Sequence, residues 1–226
     1  MTSPEKILVK QLSPTMLALG FKWVRGREKY IRKETYGFSS LSWASYPTPT
    51  DGGRLELIPI LGVRHDAVEN LVNQLGLIYD DEGKRYTTTV SRGLGYFPFQ
   101  AGKDYTQYIR MASIETDVMR VATNLADIVA GEGKAFYERY SSLLECSQGL
   151  NIPIASRPHP LCNNFPKRAY YGIVVAWFAE IDRVPQLVNQ YLNYSKDVLP
   201  NQYEEIAERI NQLVYLMNNE SHAPSR

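Results

Sequence analysis

The sequence predicts an α+β protein, in which an N-terminal helix and an antiparallel meander sheet are followed by a C-terminal helical layer. Two observations support this fold class. Residues 1–112 are rich in short aromatic or β-branched segments separated by turn residues, whereas residues 113–217 keep the helical spacing of apolar side chains. Strands and helices segregated in this way favour α+β over an alternating parallel fold. We expect a single domain over residues 1–217 and a polar tail over residues 218–226.

The first element is a helix that begins at Ser3-Pro4, where a hydroxyl cap precedes a proline at the first helical position. Ser13-Pro14 repeats that signal, so the helix is expected to kink or restart there. Gly20 is expected to end it.

Four strand-like segments follow, at residues 21–24, 29–34, 37–46 and 54–63. Alternation in the third segment places Leu41 and Trp43 on one face of the sheet. Pro59 predicts an edge or a bulge in the fourth, because proline cannot donate to a strand ladder. Residues 65–75 form a short amphipathic helix in this prediction, and residues 86–90 and 92–100 are extended or loop segments.

The second half is helical. Apolar spacing predicts helices over residues 114–129, 136–144, 184–194 and 201–217, with a proline-rich loop at 151–166. Residues 169–181 are apolar on nearly every side, so we expect this segment to be the central core helix.

The composition narrows the classes of function and the cellular locations that are expected for this protein. Hydrophobic residues make up 44% and charged residues 22% of the 226 positions, as in ordinary globular proteins. The formal net charge of +1 provides no overall field that would attract nucleic acid or an anionic membrane. The N-terminus lacks the pattern of a signal peptide, and no apolar run reaches the length of a membrane span, so a cytoplasmic location with reduced thiols is expected.

Residues 21–34 carry the densest positive charge, and nucleic-acid binding is therefore one alternative function. The basic side chains of this segment are interleaved with Trp23 and Tyr30. A two-stranded ribbon of this kind could follow phosphates while the rings stack on bases. The ribbon cations are Lys22, Arg25, Arg27 and Lys29. An edge hairpin whose charges prevent aggregation explains the same pattern and is the favoured interpretation.

His159 and Cys162, in the proline-rich loop, offer a second alternative, because a histidine base can generate a nucleophilic thiolate. Their spacing does not fix a geometry, and the favoured interpretation is a structural loop. No motif for a nucleotide, a metal or a catalytic triad occurs in the sequence, so we expect no cofactor, no metal site and no catalytic residue.

The sequence has 16 tyrosines, a residue type suited to half-buried surfaces and interfaces. We therefore expect a protein-binding module that uses the exposed face of the sheet. The proposed anchors are Tyr30, Arg32, Trp43 and Tyr46. The expected partner is another protein rather than nucleic acid or a membrane, and homo-oligomerisation stays open.

Two short motifs support this expectation through a resemblance. Leu19-Gly20-Phe21-Lys22 leads into the strands, and Leu61-Gly62-Val63-Arg64 leads into the short helix. Residues 4–75 thereby resemble a group of uncharacterised bacterial domains, of which some members are immunity proteins of bacterial toxin systems. The resemblance implies binding, in the form of an inhibitor that occludes a toxin, and it offers no catalytic motif to carry over.

Overall fold

The structure of this chain is a computed structural model that describes residues 3–48, 53–77, 80–95, 104–155, 159–162 and 164–220. An N-terminal helix is followed by an antiparallel sheet and then by a helical C-terminal region, which confirms the α+β fold class. Strands β1 to β6 cover Lys22–Val24, Lys29–Glu34, Gly37–Thr48, Arg54–His65, Val90–Gly93 and Gln107–Arg110.

Helix α1 covers Ser3–Ala18, and helices α2 and α3 cover Asp66–Val72 and Asp81–Lys84. The remaining helices, α4 to α9, cover Ile114–Ile128, Lys134–Tyr140, Leu143–Asn151, Phe165–Ala179, Val184–Val198 and Tyr203–Asn219. A π-helix, Val129–Gly133, connects α4 to α5. Of the predicted polar tail, Asn218 and Asn219 belong to α9, and residues 221–226 lie outside the described part of the chain.

Of the two outcomes predicted at Ser13-Pro14, a kink or a restart, the restart does not occur, because α1 runs through both residues as one helix. The Ser13 hydroxyl donates to the backbone oxygen of Val9 over 2.6 Å, one turn back along the helix. A hydroxyl that returns to the preceding turn competes with capping a new helix, so the start signal is not used.

The sheet confirms the predicted meander. Its order is β1-β2-β3-β4-β5, and β6 pairs with β4 as well. Strands β1, β2 and β3 form consecutive antiparallel hairpins, with Trp23 opposite Tyr30 and Tyr30 opposite Leu41.

Strand β4 is an interior strand, so the edge predicted from Pro59 is wrong. Strand β6 pairs with Arg54–Leu57, and beyond that stretch the Leu94 nitrogen donates to the Pro59 oxygen over 2.8 Å. Pro59 therefore lies where the neighbour of β4 changes from β6 to the segment that follows β5. The missing donor of proline is tolerated at such a change of partner.

The chain divides into two compact units, each assembled from separate parts of the sequence. Unit 1 comprises residues 1–63 and 91–138, and unit 2 comprises residues 64–90 and 139–226. In unit 1, the core is formed by the inner face of the sheet together with α1 and α4, including Leu12, Leu57 and Val121. In unit 2, α7 contacts α2, α6, α8 and α9. The residues of α7 from 169 to 177 are buried, which confirms the predicted core helix.

Candidate functional site

Two of the four predicted anchors lie against α1. Tyr30 is fully buried, and its hydroxyl donates to the backbone oxygen of Val9 over 3.0 Å. Trp43 is half-buried and donates from Nε1 to a Glu5 carboxylate oxygen at 3.3 Å, while its ring stacks on Trp23 at a centroid distance of 5.7 Å. A fully buried side chain cannot contact a partner at the surface, so Tyr30 is a core residue rather than an anchor. The sequence gives the alternation of β3 but not which face α1 covers.

Arg32 is held by contacts within unit 1. Its Nε lies 2.7 Å from a Glu34 carboxylate oxygen, and its guanidinium lies 4.9 Å from the Phe21 ring centroid and 5.5 Å from that of Tyr137. These contacts account for the half-buried position of the side chain. An anchoring role for Arg32 stays a prediction.

Tyr46, the fourth predicted anchor, is 53% exposed and lies near the end of β3. Strands β3 and β4 are neighbours, and the Thr48 hydroxyl donates to the Arg54 oxygen over 3.3 Å, so Tyr46 lies at the end of β3 that runs beside Arg54 and Glu56. Glu56 in turn pairs with Tyr108 of β6. Because Leu55 and Leu57 point into the core, Glu56 and its partner Tyr108 lie on the outer face of the sheet. Tyr46 alternates with Trp43, which contacts α1, and so lies on the outer face as well.

A cluster of side chains therefore forms at this end of the outer face. Tyr108 is 36% exposed, and the Arg54 guanidinium, which is half-buried, lies 4.7 Å from its ring centroid. We call this cluster the tyrosine patch, and its members are Tyr46, Arg54, Tyr108 and Arg110. Tyrosine and arginine are enriched in the cores of protein interfaces.

The buried carboxylate of Asp117 orients Arg110 of the tyrosine patch and also contacts Arg120 beside it. Arg110 contacts both carboxylate oxygens, at 2.8 Å from Nε and 3.0 Å from Nη2. Arg120 donates to the Tyr108 backbone oxygen over 2.7 Å and approaches Asp117 at 3.4 Å. The Arg110 hydrogen bonds hold the pKa of Asp117 well below its usual range, so this carboxylate is charged at neutral pH.

In the basic ribbon, the cationic side chains lie near the surface, whereas the two aromatic side chains pack against each other. Lys22 and Arg25 are exposed, whereas Arg27 and Lys29 are half-buried. Trp23 and Tyr30, which would stack on bases in the nucleic-acid hypothesis, pack against each other at a centroid distance of 4.9 Å. Rings that are used in packing are not available as a stacking platform. The edge-hairpin interpretation therefore stays favoured.

His159 and Cys162 form a structural turn in the part of their loop that is described. The Nδ1 atom of His159 accepts the backbone N–H groups of Leu161 and Cys162, at 3.2 and 3.3 Å. Burial lowers the pKa of His159 to about 4, and burial raises the pKa of the Cys162 thiol. A neutral imidazole whose Nδ1 accepts from the backbone, beside a protonated thiol, does not form a nucleophilic pair. Residues 156–158 and 163 lie outside the described part of the chain.

The fold instead brings together a different cysteine and histidine, 81 positions apart in the sequence. The Cys146 sulfur lies 3.7 Å from Nε2 of His65, and both groups donate to the Tyr140 backbone oxygen, at 3.3 and 2.8 Å. Burial raises the pKa of Cys146 to about 12 and lowers the pKa of His65. Sequence reasoning missed this pair because neither spacing nor a motif connects the two residues. Its geometry secures the end of α5 and leaves the thiol protonated.

The most polar interior cluster of unit 2 surrounds Glu69, which is fully buried on α2. Its carboxylate accepts hydrogen bonds from Thr87, Thr89 and Tyr171 at 2.5, 3.2 and 2.8 Å. Arg64 lies 3.9 Å away. Burial raises the pKa of Glu69, against the opposing effects of the hydrogen bonds and of Arg64. A glutamate next to the apolar stripe of the predicted helix was the one sequence signal for this cluster.

Among the described residues, no helix is long and apolar enough to cross a membrane. The same residues contain no group of three or more histidine, cysteine, aspartate or glutamate side chains placed to hold a metal ion. No family model matches this chain, and no curated protein or solved structure is significantly similar to it.

Proposed function

We propose that this protein is a protein-binding module whose partner docks on the tyrosine patch. The observation that supports this proposal most strongly is the pair of exposed tyrosines, Tyr46 and Tyr108, on the outer face of the sheet, with Arg54 placed over one of them. The N-terminal resemblance implies a more specific form, an immunity-type inhibitor that covers the active site of a bacterial toxin. In that form the protein acts by occlusion and not by catalysis.

The rigidity of the patch supports a binding role. Tyr46 and Tyr108 lie on β3 and β6, which are both neighbours of β4, and a tyrosine side chain has only two rotatable angles to fix on binding. Arg110 is already oriented by Asp117 through two hydrogen bonds. Pre-organised side chains lose less entropy in a complex, so more of the contact energy contributes to affinity.

The charge of the patch indicates the chemistry of the partner surface. Arg54 and Arg110 belong to the patch and Arg120 lies beside it, while the carboxylates of Glu56 and Asp117 offset two of these three positive charges. A partner that presents carboxylates around an apolar centre would complement this arrangement. Partners of this kind include enzymes whose active sites are acidic.

The proposed site of action is the cytoplasm. Both cysteines, Cys146 and Cys162, are free thiols, as expected for a protein of a reducing compartment.

Capture on tagged protein, followed by binding of the purified components, tests this function. The proposal expects one protein to be retained in about equimolar amount and to bind again when purified. Retention of nucleic acid alone would contradict the proposal and direct attention to the basic ribbon. A chain that forms only homodimers would also contradict it.

A further inference from the structure

A polar cleft in unit 2 shares no lining residue with the tyrosine patch. Its volume is about 500 Å³. Three cationic and three carboxamide side chains line it together with Gly76, namely Arg64, Lys84, Arg85, Asn70, Asn73 and Gln74. None of these lining residues is acidic. We propose that this cleft binds a small phosphate-bearing ligand.

The central group is the Arg64 guanidinium, because it is buried and already oriented. Arg64 is 6% exposed, and its Nε lies 2.6 Å from an Asp66 carboxylate oxygen. Its Nη1 donates to the backbone oxygen of Lys84 over 2.7 Å and to the Thr87 hydroxyl over 2.9 Å. Because Nε and Nη1 already donate within the protein, Arg64 contributes a fixed and oriented positive charge to the wall of the cleft.

The acidic residues near the cleft do not prevent it from binding a phosphate. Asp66 and Asp81, which pair with Arg64 and Lys84, have side chains that are 59% and 86% exposed. Exposed ion pairs contribute little stability, so a phosphate can displace Asp81 from Lys84 at low cost. Asp80 is used in capping α3, where its carboxylate accepts the N–H groups of Glu82 and Gly83.

Arg64 Nη1 also lies 3.9 Å from a carboxylate oxygen of Glu69. Arg64 therefore keeps its contacts with Asp66 and Glu69 when a ligand binds. Once Asp81 is displaced from Lys84, the charges of Lys84 and Arg85 can be matched by a phosphate dianion.

The carboxamides and the size of the cleft limit the ligand further. Asn73 and Gln74 donate to backbone oxygens of Lys84 and Asn70, at 3.4 and 3.0 Å. Amide groups in these positions can recognise neutral polar groups beside the phosphate. A cleft of this volume falls in the range of small-molecule sites. The ligand is therefore a phosphorylated metabolite of about the size of a nucleoside monophosphate.

Calorimetric titration of the full chain at low salt tests this proposal, with AMP, inorganic phosphate and succinate as probes. We expect saturable binding of AMP and phosphate, and no binding of succinate at the same concentrations. Arg85→Glu should weaken AMP binding by about tenfold or more, because it reverses one of the three charges while changing an exposed side chain. Arg25→Glu, which alters an exposed arginine of unit 1, is the matched control and should bind AMP like the wild type.

Three results would overturn the proposal: no saturable AMP binding by the wild type, succinate binding equal to phosphate binding, or unchanged binding in Arg85→Glu. Arg64→Lys provides a second variant, since it keeps the charge but loses the hydrogen bonds that hold this charge at the cleft. It should also weaken AMP binding, provided that circular dichroism shows the native fold. Because these variants lie outside the tyrosine patch, failure here would leave the protein-binding proposal unaffected.

Discussion

The Tyr171 hydroxyl donates to the buried Glu69 carboxylate over 2.8 Å, although the two residues lie 102 positions apart in the sequence. This bond connects α2 to α7, the core helix of unit 2. Thr87 and Thr89 contribute two further bonds to the same carboxylate from the segment that precedes and enters β5. Three separate parts of the chain thus meet at one acidic side chain.

Glu69 should make the stability of the protein depend on pH. Its pKa in the folded state is raised above the ordinary value of 4.5, so the folded state favours the protonated form. The stability that follows from protonation is present below pH 4.5 and is lost as the pH rises through the folded pKa. Relative to Glu69→Gln, which stays neutral, the wild type should therefore lose free energy of unfolding as the pH rises.

Urea unfolding of both proteins between pH 4 and pH 8 measures this difference. Comparison with Glu69→Gln cancels the contribution of the other titrating groups. A difference that stays constant, or that changes in favour of the wild type as the pH rises, would contradict this interpretation of Glu69.

His159 should produce the opposite dependence. Its pKa falls from 6.5 to about 4 on folding, so the folded state binds the proton less well than the unfolded chain does. Stability is then fully present above pH 6.5 and decreases as the pH falls towards 4, by about 3 kcal/mol in total. His159→Asn keeps an acceptor for the Leu161 N–H but does not titrate, so this acid-side loss should be smaller in the variant. Equal losses in both proteins would show that His159 does not titrate as described.

The two thiols should be unreactive in the native protein. Burial raises the pKa of Cys146 to about 12 and also raises that of Cys162, so both thiolate fractions at pH 8 are small. In a Cys162→Ser variant, the remaining Cys146 should react with a disulfide reagent about 100-fold more slowly than in the same chain unfolded in urea. Rapid reaction of the native variant would contradict the buried, protonated state assigned to Cys146.

Tyr30 and Tyr46 should respond differently to loss of the hydroxyl group. Tyr30→Phe leaves the Val9 oxygen without its bond from the tyrosine, inside the contact between α1 and the sheet. We expect a loss of about 1–2 kcal/mol in the free energy of unfolding. Tyr46→Phe changes an exposed position and should cost less than about 0.5 kcal/mol. Equal effects would contradict the assignment of Tyr30 to the core and Tyr46 to the surface.

Local signals were sufficient for the order and type of most elements. Alternation and turn residues predicted β1 to β4, and the apolar segment at residues 169–181 predicted the core helix α7. These properties depend on neighbours in sequence, so a pattern can report them. The restart at Ser13-Pro14 and the edge at Pro59 were wrong because a side-chain hydrogen bond and a change of strand partner decide them, while the kink and the bulge stay predictions.

The sites depended on contacts between distant residues and were predicted less well. Tyr46 was placed at the surface as expected, but Tyr30 was not, because the sequence does not say which face of the sheet α1 covers. No sequence signal pointed to Tyr108 as a site residue, and its pairing with Glu56 in the structure identified it. The cluster around Glu69 and the pair formed by Cys146 and His65 required the fold to bring remote segments together.

The most direct test of the central claim is the affinity of the captured partner for a Tyr46→Ala/Tyr108→Ala double variant. Tyr215→Ala is the matched control, because Tyr215 is 68% exposed and lies in unit 2. Truncation of two interface tyrosines should weaken binding by about 100-fold or more, with unfolding curves close to those of the wild type. The control should bind like the wild type. A double variant that folds and keeps full affinity would contradict the claim that the tyrosine patch is the binding surface.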